Sequence, residues 1–390
     1  MTLTLNDPDR LYTPRFFLLL GVLFAYMCGF GLLVHLGKYV IKLGGDVGTL
    51  SWIFGLGMLG SIPARPFLGR WIDRVGCKPV LLVATMLAAV IVLSFQWFAD
   101  IRAICALRIA LQLTQAALLT SVAVFAAHIA PPRRSAESLA MLGMGGLAGI
   151  MVGPVIGDIV FRGPEASDAT YALYFTLGAA LLVCSCFLVI LTAAPRRVDH
   201  PSGGRESITR LMIRHWPGPL VVMGLSLALV QTIPMLYIER FVTARNLGGV
   251  TCFFVAYAPT AIALRVCLRR LPYRIGRRRT LIFGYLAYVL GMLLLTQVHT
   301  AGGLVLPAII MGAGHCFSYP FLVDLAAEKM PPQHRGVATS VILGAIDVGF
   351  LISFVLVGQL IKHHGFNVAL VTAAGLASVG VAYYAWSQRR

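Results

Sequence analysis

The sequence is poor in charge. Only 12% of its residues are Asp, Glu, Lys or Arg, about half the share of a soluble domain, and just 15 of 390 are acidic. That scarcity excludes a soluble globular enzyme. Also missing are the alternating ten-residue segments of a membrane β-barrel, a Walker-type loop for ATP, a CxxC or His/Cys spacing for a metal, and a Ser/His/Asp set placed as a nucleophile. No catalytic residue, metal or cofactor is therefore expected. The eight cysteines, Cys28, Cys77, Cys105, Cys184, Cys186, Cys252, Cys267 and Cys316, fall mostly inside apolar runs. They read as small buried hydrophobes rather than a disulfide framework. What the chain has in abundance is apolar length: 58% of residues are hydrophobic and the mean hydropathy is +0.83.

A membrane-crossing helix needs about 20 apolar residues. Runs of that kind predict twelve spans, at 15–37, 48–68, 79–98, 101–128, 137–160, 170–193, 217–239, 249–268, 280–298, 303–327, 336–361 and 366–387. The fold class is thus an all-α polytopic membrane protein. The apolar run after the polar first 15 residues reads as a retained first span, since no small-residue cleavage site follows it. A polar, basic stretch near the midpoint divides the chain into residues 1–194, a connecting loop at 195–216, and residues 217–390.

The two halves repeat with an offset of 200. Pro131-Pro132 recurs as Pro331-Pro332, Arg65 as Arg265, and Arg70, Arg74, Gly76 and Lys78 as Arg270, Arg274, Gly276 and Arg278. Apolar composition alone does not produce that match at loop positions. A six-helix repeat implies two pseudo-symmetric bundles with a site where they meet. The net charge of +17 sorts on this topology. With the N-terminus in the cytoplasm, inner loops, helix ends and tails hold 24 of the 32 basic residues. The positive-inside rule then places both termini in the cytoplasm, of a bacterial inner membrane by expectation. A nucleic-acid groove is not expected, because the basic residues are spread over that whole face.

The loop between spans 2 and 3 reads Gly69-Arg70-Trp71-Ile72-Asp73-Arg74-Val75-Gly76-Cys77-Lys78. It resembles the signature G-x-x-x-D-R-x-G-R/K-R/K of the major facilitator superfamily, with Cys77 at a usually basic position. The resemblance extends over the whole chain through the repeat and the twelve spans. It implies a gate in which Asp73 holds the cytoplasmic bundle ends together, with Gly69, Arg74, Gly76 and Lys78 as its other parts. A glycine there would let helices approach and a second would allow a tight turn. The second copy has Tyr273 in place of Asp73, so any latch is asymmetric. Span 5 carries Gly149, Gly153, Pro154 and Gly157, which resembles the family's exporter motif G-x-x-x-G-P-x-x-G-G with Asp158 at the last glycine. Small residues at that spacing favour close helix packing.

Ionisable groups inside spans are costly and mark function. Arg108 in span 4 shares a helix face with Gln112 and Gln115 and resembles the family's span-4 arginine, although Gln112 stands where a glycine is usual. His315, with Tyr319 one turn on, and Asp347 lie at mid-depth of spans 10 and 11; Asp324 and Glu328 lie nearer the cytoplasm. Gln231, Pro234 and Tyr237 in span 7 and Tyr26 in span 1 are further lining candidates. In the family fold, spans 3, 6, 9 and 12 are outer supports. Here they hold no charge between their ends, and buried charge is expected only in spans 4, 10 and 11. The expected function is secondary active transport of a small neutral or anionic organic molecule, by a monomer in the bilayer. Proton-coupled export is favoured. An uptake symporter, and a transporter-like sensor or assembly subunit that moves nothing, stand as alternatives.

Overall fold

A computed structural model describes residues 11–131, 134–162, 166–193, 216–268, 271–329 and 335–388. Among these residues there is no strand. Long apolar helices run Pro14–Lys42 (span 1), Cys77–Trp97 (span 3), Ile101–Ile129 (span 4), Ser135–Val160 (span 5), Asp168–Leu191 (span 6), Gly218–Ala244 (span 7), Arg277–Leu295 (span 9) and Gly302–Glu328 (span 10). Two shorter ones, Val47–Gly60 and Thr251–Cys267, are spans 2 and 8. The last two spans form one continuous segment, Arg335–Ser387, interrupted at Gly365, whose φ of 80° and ψ of 174° are not helical. Span 2 ends earlier than the expected 68. Pro63 has no N–H for the helix ladder and disfavours a helical residue before it, and the chain turns there before a separate short helix, Arg65–Val75.

The repeat reappears in the backbone. Arg65–Val75 ends at Gly76, with φ 92° and ψ 158°, and span 3 begins at the next residue. Leu271–Ile275 is followed by Gly276, with φ 90° and ψ 141°, and span 9 begins at the next residue. A positive φ of this kind favours a residue without Cβ. The turn function expected of Gly76 is therefore a backbone requirement in both copies. Of the connecting loop at 195–216, only Trp216 lies within the described residues.

By contacts the chain divides into two compact units: Met1–Leu33, Pro63–Phe98 and Ala110–Asp199 in one, and Val34–Ile62, Ala99–Ile109 and His200–Arg390 in the other. In the first unit, span 1 runs against spans 5 and 6. Its backbone touches that of span 5 so closely that a Cβ on Gly153 would sit 2.3 Å from the carbonyl oxygen of Cys28, and one on Gly149 2.3 Å from that of Phe24. Gly157 is buried, and its carbonyl accepts from the Phe161 amide at 3.0 Å. Pro154 stays inside the helix. Ser185 donates to the Val22 carbonyl at 2.8 Å and Tyr174 to that of Leu32 at 3.0 Å, tying span 6 to span 1. In the second unit, span 9 meets span 10 at Gly284 and Gly314, and span 7 meets span 11 at Gly349.

A test contrasts two of the glycines. A Cβ on Gly69 would meet nothing within 4 Å among the described residues, so the expected role of this glycine in close helix approach does not operate in this structure. Gly153→Val is expected to destabilise the protein by about 1–3 kcal/mol through overpacking. Gly69→Ala is expected to stabilise it by up to about 1 kcal/mol through helix propensity. Thermal unfolding of the purified variants should show shifts of opposite sign.

The outer-support expectation has a structural counterpart. Val83, Met86 and Val90 of span 3, Val183, Phe187 and Ile190 of span 6, and Phe283, Leu286 and Leu290 of span 9 are exposed at helical spacing. An apolar stripe facing outward suits a hydrocarbon environment, where water would penalise it. The cysteines are all free, but not all buried. Cys28, Cys77 and Cys316 are buried, whereas Cys184, Cys252 and Cys267 are exposed on such helix surfaces.

Candidate functional site

Two clusters carry the polar chemistry of the second unit. The first is centred on His315. Its Nδ1 lies 3.1 Å from the hydroxyl of Tyr257 on span 8 and 3.0 Å from that of Tyr288 on span 9, and the two hydroxyls are 2.8 Å apart. Both tyrosines are fully buried. The Arg265 guanidinium lies close enough to act electrostatically on the same imidazole and on Cys316, the next residue on span 10. Gln231, nearly buried, stands close to Tyr288 from span 7, and its Nε2 has no hydrogen-bond partner among the described residues. A five-residue stretch of π-helix, Ile233–Tyr237, follows Gln231 at Pro234; such wide turns arise where the regular ladder is broken and often mark functional positions. Tyr319, one turn from His315, is 40% exposed and does not enter the cluster.

The second cluster gathers residues of spans 1, 2, 4, 7 and 11. Glu239 is 2% exposed. It pairs with Arg240 at 2.9 Å and with Lys38 of span 1 at 3.7 Å, and accepts a hydrogen bond from Thr243 at 3.0 Å. Lys362 pairs with Asp46 at 2.8 Å, and Gln359 donates to Ser51 at 3.5 Å. The Tyr237 hydroxyl donates to the Phe354 carbonyl at 2.6 Å. Arg108 is buried with its guanidinium 4.6 Å from the centre of the Phe54 ring on span 2, a cation–π arrangement, and its side chain lies against Gly57. Phe54 in turn meets Phe354 edge-on. Arg108 thus belongs to the surroundings of span 2, and His315 to those of spans 8 and 9. Gln112 donates to Gln115 at 2.8 Å along one face of span 4.

The Asp46 carboxyl is held down to about 2 by the hydrogen bond from Lys362 and then by those from Thr49, whose amide and hydroxyl both donate to it. A depressed carboxylate stabilises its contact above the ordinary value near 3.8 and loses it as pH falls through about 2. The Asp46–Lys362 contact is therefore expected to stay intact down to about pH 5 and to open only below about pH 4. A spin-label distance between the span 1–2 loop and the outer end of span 11 should be constant over the first range and lengthen in the second.

Other expected residues occupy different surroundings. Asp347 is 5% exposed within the span 11 helix. Tyr26 is fully buried, bonded to Thr114 at 2.8 Å and stacked on Phe30, so in this state it braces span 1 on span 4 instead of lining open space. Of the gate motif, Lys78 donates to the Ile190 carbonyl at 3.0 Å. It thereby caps the last turn of span 6, where a cation suits the helix dipole. Arg74 is exposed, and the side chain of Asp73 lies outside the described ones. No group of three or more metal-binding side chains occurs among the described residues.

Sequence reasoning missed Glu239, Tyr257, Tyr288 and the clamp made by Arg277. Buried charge was expected only in spans 4, 10 and 11, yet Glu239 of span 7 is among the most buried charges. Its signal was present, since the chain has no other acidic residue between Glu206 and Asp324. Arg277 bonds Asp324 at 2.7 Å and also Glu328, joining the start of span 9 to the last turns of span 10. Subtracting the repeat offset gives Cys77, Val124 and His128. The first half therefore lacks this clamp at all three positions together.

The Major Facilitator Superfamily model matches residues 18–272 and 249–390. Multidrug resistance protein MdtG of Citrobacter koseri is 24% identical over 368 residues, which cover 90% of this chain and 89% of that one. Its namesake from Enterobacter lignolyticus is 25% identical over 369 residues, covering 90% and 86%. Among solved structures, the nucleoside transporter NupG superposes with a TM-score of 0.75 at 14% identity over 97% of this chain and 100% of that one. A D-xylose–proton symporter does so with 0.74 at 15% over 95% and 96%. At those identities the solved structures establish a shared fold. With long apolar helices throughout the described residues, a repeated loop turn and a family match along nearly its whole length, the chain is an integral membrane protein, a secondary transporter and not an enzyme: it belongs to the major facilitator superfamily.

Proposed function

We propose that this transporter exports a small organic molecule in exchange for protons, working as a monomer by alternating access. Asp347 is the proton-carrying group, and the two sequence halves, 1–194 and 217–390, are the moving bundles. The observation that carries the reading is the burial of Asp347 within an apolar span. A carboxylate kept out of water inside a membrane is costly, and its charge changes with a proton. Binding that proton therefore biases the equilibrium between states, which is what coupling requires. The glycine contacts of span 5 and the multidrug relatives at 24% identity support export. The positive-inside rule supports cytoplasmic termini in a bacterial inner membrane.

The outer cluster supports a gate on the side opposite the basic loops, with Lys38–Glu239 and Asp46–Lys362 closing it. Asp73 is the inner latch of this reading, with Gly69, Arg74, Gly76 and Lys78 around it. An uptake symporter remains the second reading, since the fold neighbours include a sugar–proton symporter. Inverted vesicles with an acid lumen separate the two. Added substrate should raise the luminal pH if the protein is an antiporter and lower it if it is a symporter. A protein that binds ligands but shows neither change would be the non-transporting sensor.

A further inference from the structure

The triangle at His315 sets the state of its ring. Three polar atoms, the hydroxyls of Tyr257 and Tyr288 and Nδ1 of His315, lie within 2.8–3.1 Å of one another. Each hydroxyl has one proton to donate. If Nδ1 is bare, one hydroxyl donates to it and the second donates to the oxygen of the first, so every proton finds an acceptor. If Nδ1 carries a proton, it can only donate, and one of the two hydroxyls loses its acceptor within the triangle. Both tyrosines are 0% exposed, so bulk water does not stand in, and a buried donor left without a partner is costly. With Nδ1 bare, the proton of the neutral ring sits on Nε2. Among the described residues Nε2 has no hydrogen-bond partner, and His315 is only half-buried, so this donor is directed at accessible space.

Resting on the transporter reading above, we infer that Tyr257 and Tyr288 are positioning residues that hold His315 in its Nε2–H form, and that His315 donates through Nε2 to an oxygen acceptor, a carboxylate or carbonyl, on the transported molecule. His315 is then a specificity contact, and the coupling proton is carried by Asp347. The groups facing the ring agree with an electron-rich oxygen as ligand. They are Tyr257 and Arg265 from span 8, Tyr288 from span 9 and Cys316 on its own span, with Gln231 behind Tyr288. No carboxylate is among them, and Arg265, whose Nε has no hydrogen-bond partner among the described residues, adds a cation that favours an anionic oxygen.

The test uses the full-length protein in detergent and in liposomes. Imidazole 15N spectra, with the His315 signals assigned by difference against His315→Gln, should show Nδ1 unprotonated and Nε2 protonated. The double variant Tyr257→Phe/Tyr288→Phe should give a mixture of tautomers. 2-Naphthoate is expected to raise the melting temperature, while naphthalen-2-ylmethylammonium, which has no acceptor, does not. His315→Phe should weaken naphthoate binding about 10-fold. His315→Gln, which keeps a donor that does not titrate, should bind within about 3-fold of wild type and keep the pH profile of transport unchanged. A protonated Nδ1, equal stabilisation by the two probes, or loss of proton coupling in His315→Gln overturns the inference. Should wild type transport nothing, the transporter reading fails alone, because the tautomer and probe-binding results are read without transport.

Discussion

Asp347→Asn is expected to lower substrate accumulation driven by a pH gradient roughly 5–150-fold while leaving substrate exchange intact. Asp347 is nearly buried in an apolar helix, and asparagine preserves its size and one acceptor oxygen but replaces the other with an amide donor and has no ionisable proton. The coupling free energy between two ligands of a transporter of this kind is about 1–3 kcal/mol, or roughly 5–150-fold in affinity. Removing the proton site should therefore reduce the accumulation ratio by about that factor. Counterflow across equal pH needs only substrate binding and the change of access, so it should proceed at a rate within a few-fold of wild type. Those two assays in the same proteoliposomes separate a coupling defect from misfolding. Full proton-driven accumulation by the variant would mean that the proton binds elsewhere. Glu239 would then be the next carboxylate to examine, since it too is buried and pairs with cations on two spans.

Gly358→Val should have a comparably large effect by forcing apart spans 2 and 11, whose contact is the proposed outer gate. A Cβ at position 358 would lie 2.2 Å from the Cβ of Ser51 and 2.4 Å from the Tyr237 hydroxyl, well inside van der Waals contact. The surrounding ties all depend on spans 2 and 11 being this close: Gln359 to Ser51, Lys362 to Asp46, and Phe54 against Phe354. Overpacking of this severity costs about 1–3 kcal/mol or more, which shifts a two-state equilibrium by roughly 5–150-fold toward the state in which the contact is absent. In a background with the native cysteines replaced, Ser51→Cys should be protected from an externally added, membrane-impermeant thiol reagent. Adding Gly358→Val should make it reactive and should lower transport at least about 10-fold. Gly358→Ala should fall between the two. Unchanged protection in the valine variant would show that this contact does not form the gate.

Much of the architecture was legible in the primary structure, for reasons that can be named. Gly76 and Gly276 share a loop position because both halves need a residue that tolerates positive φ there, and their φ angles agree within two degrees. Span 2 was drawn too long because its apolar run continues past Pro63, and composition outweighed the proline's missing donor. The candidate site was read less completely. His315 and Asp347 were found because an ionisable group in an apolar run is conspicuous. Tyr257 and Tyr288 were missed because a tyrosine in such a run is ordinary, and only its neighbours make it polar machinery. Lys78 was assigned to a latch by its motif, but its ammonium reaches a carbonyl on span 6, 112 residues along the chain.

What the sequence by itself determined was the solvent of this protein and its gross plan. Apolar length fixed the membrane class, loop charge gave an expected orientation, and the repeat offset implied two related halves. These properties are local or additive, so they survive reading one residue after another. Only the tertiary structure decided that the Tyr257 and Tyr288 hydroxyls close on one imidazole nitrogen, that Glu239 stands between Lys38 and Arg240, and that Gly358 is where spans 2 and 11 touch. Helical periodicity tells which side chains share a face. What stands opposite that face is set by backbone approach and side-chain volume across tens to hundreds of residues, and so by packing, which no local pattern encodes.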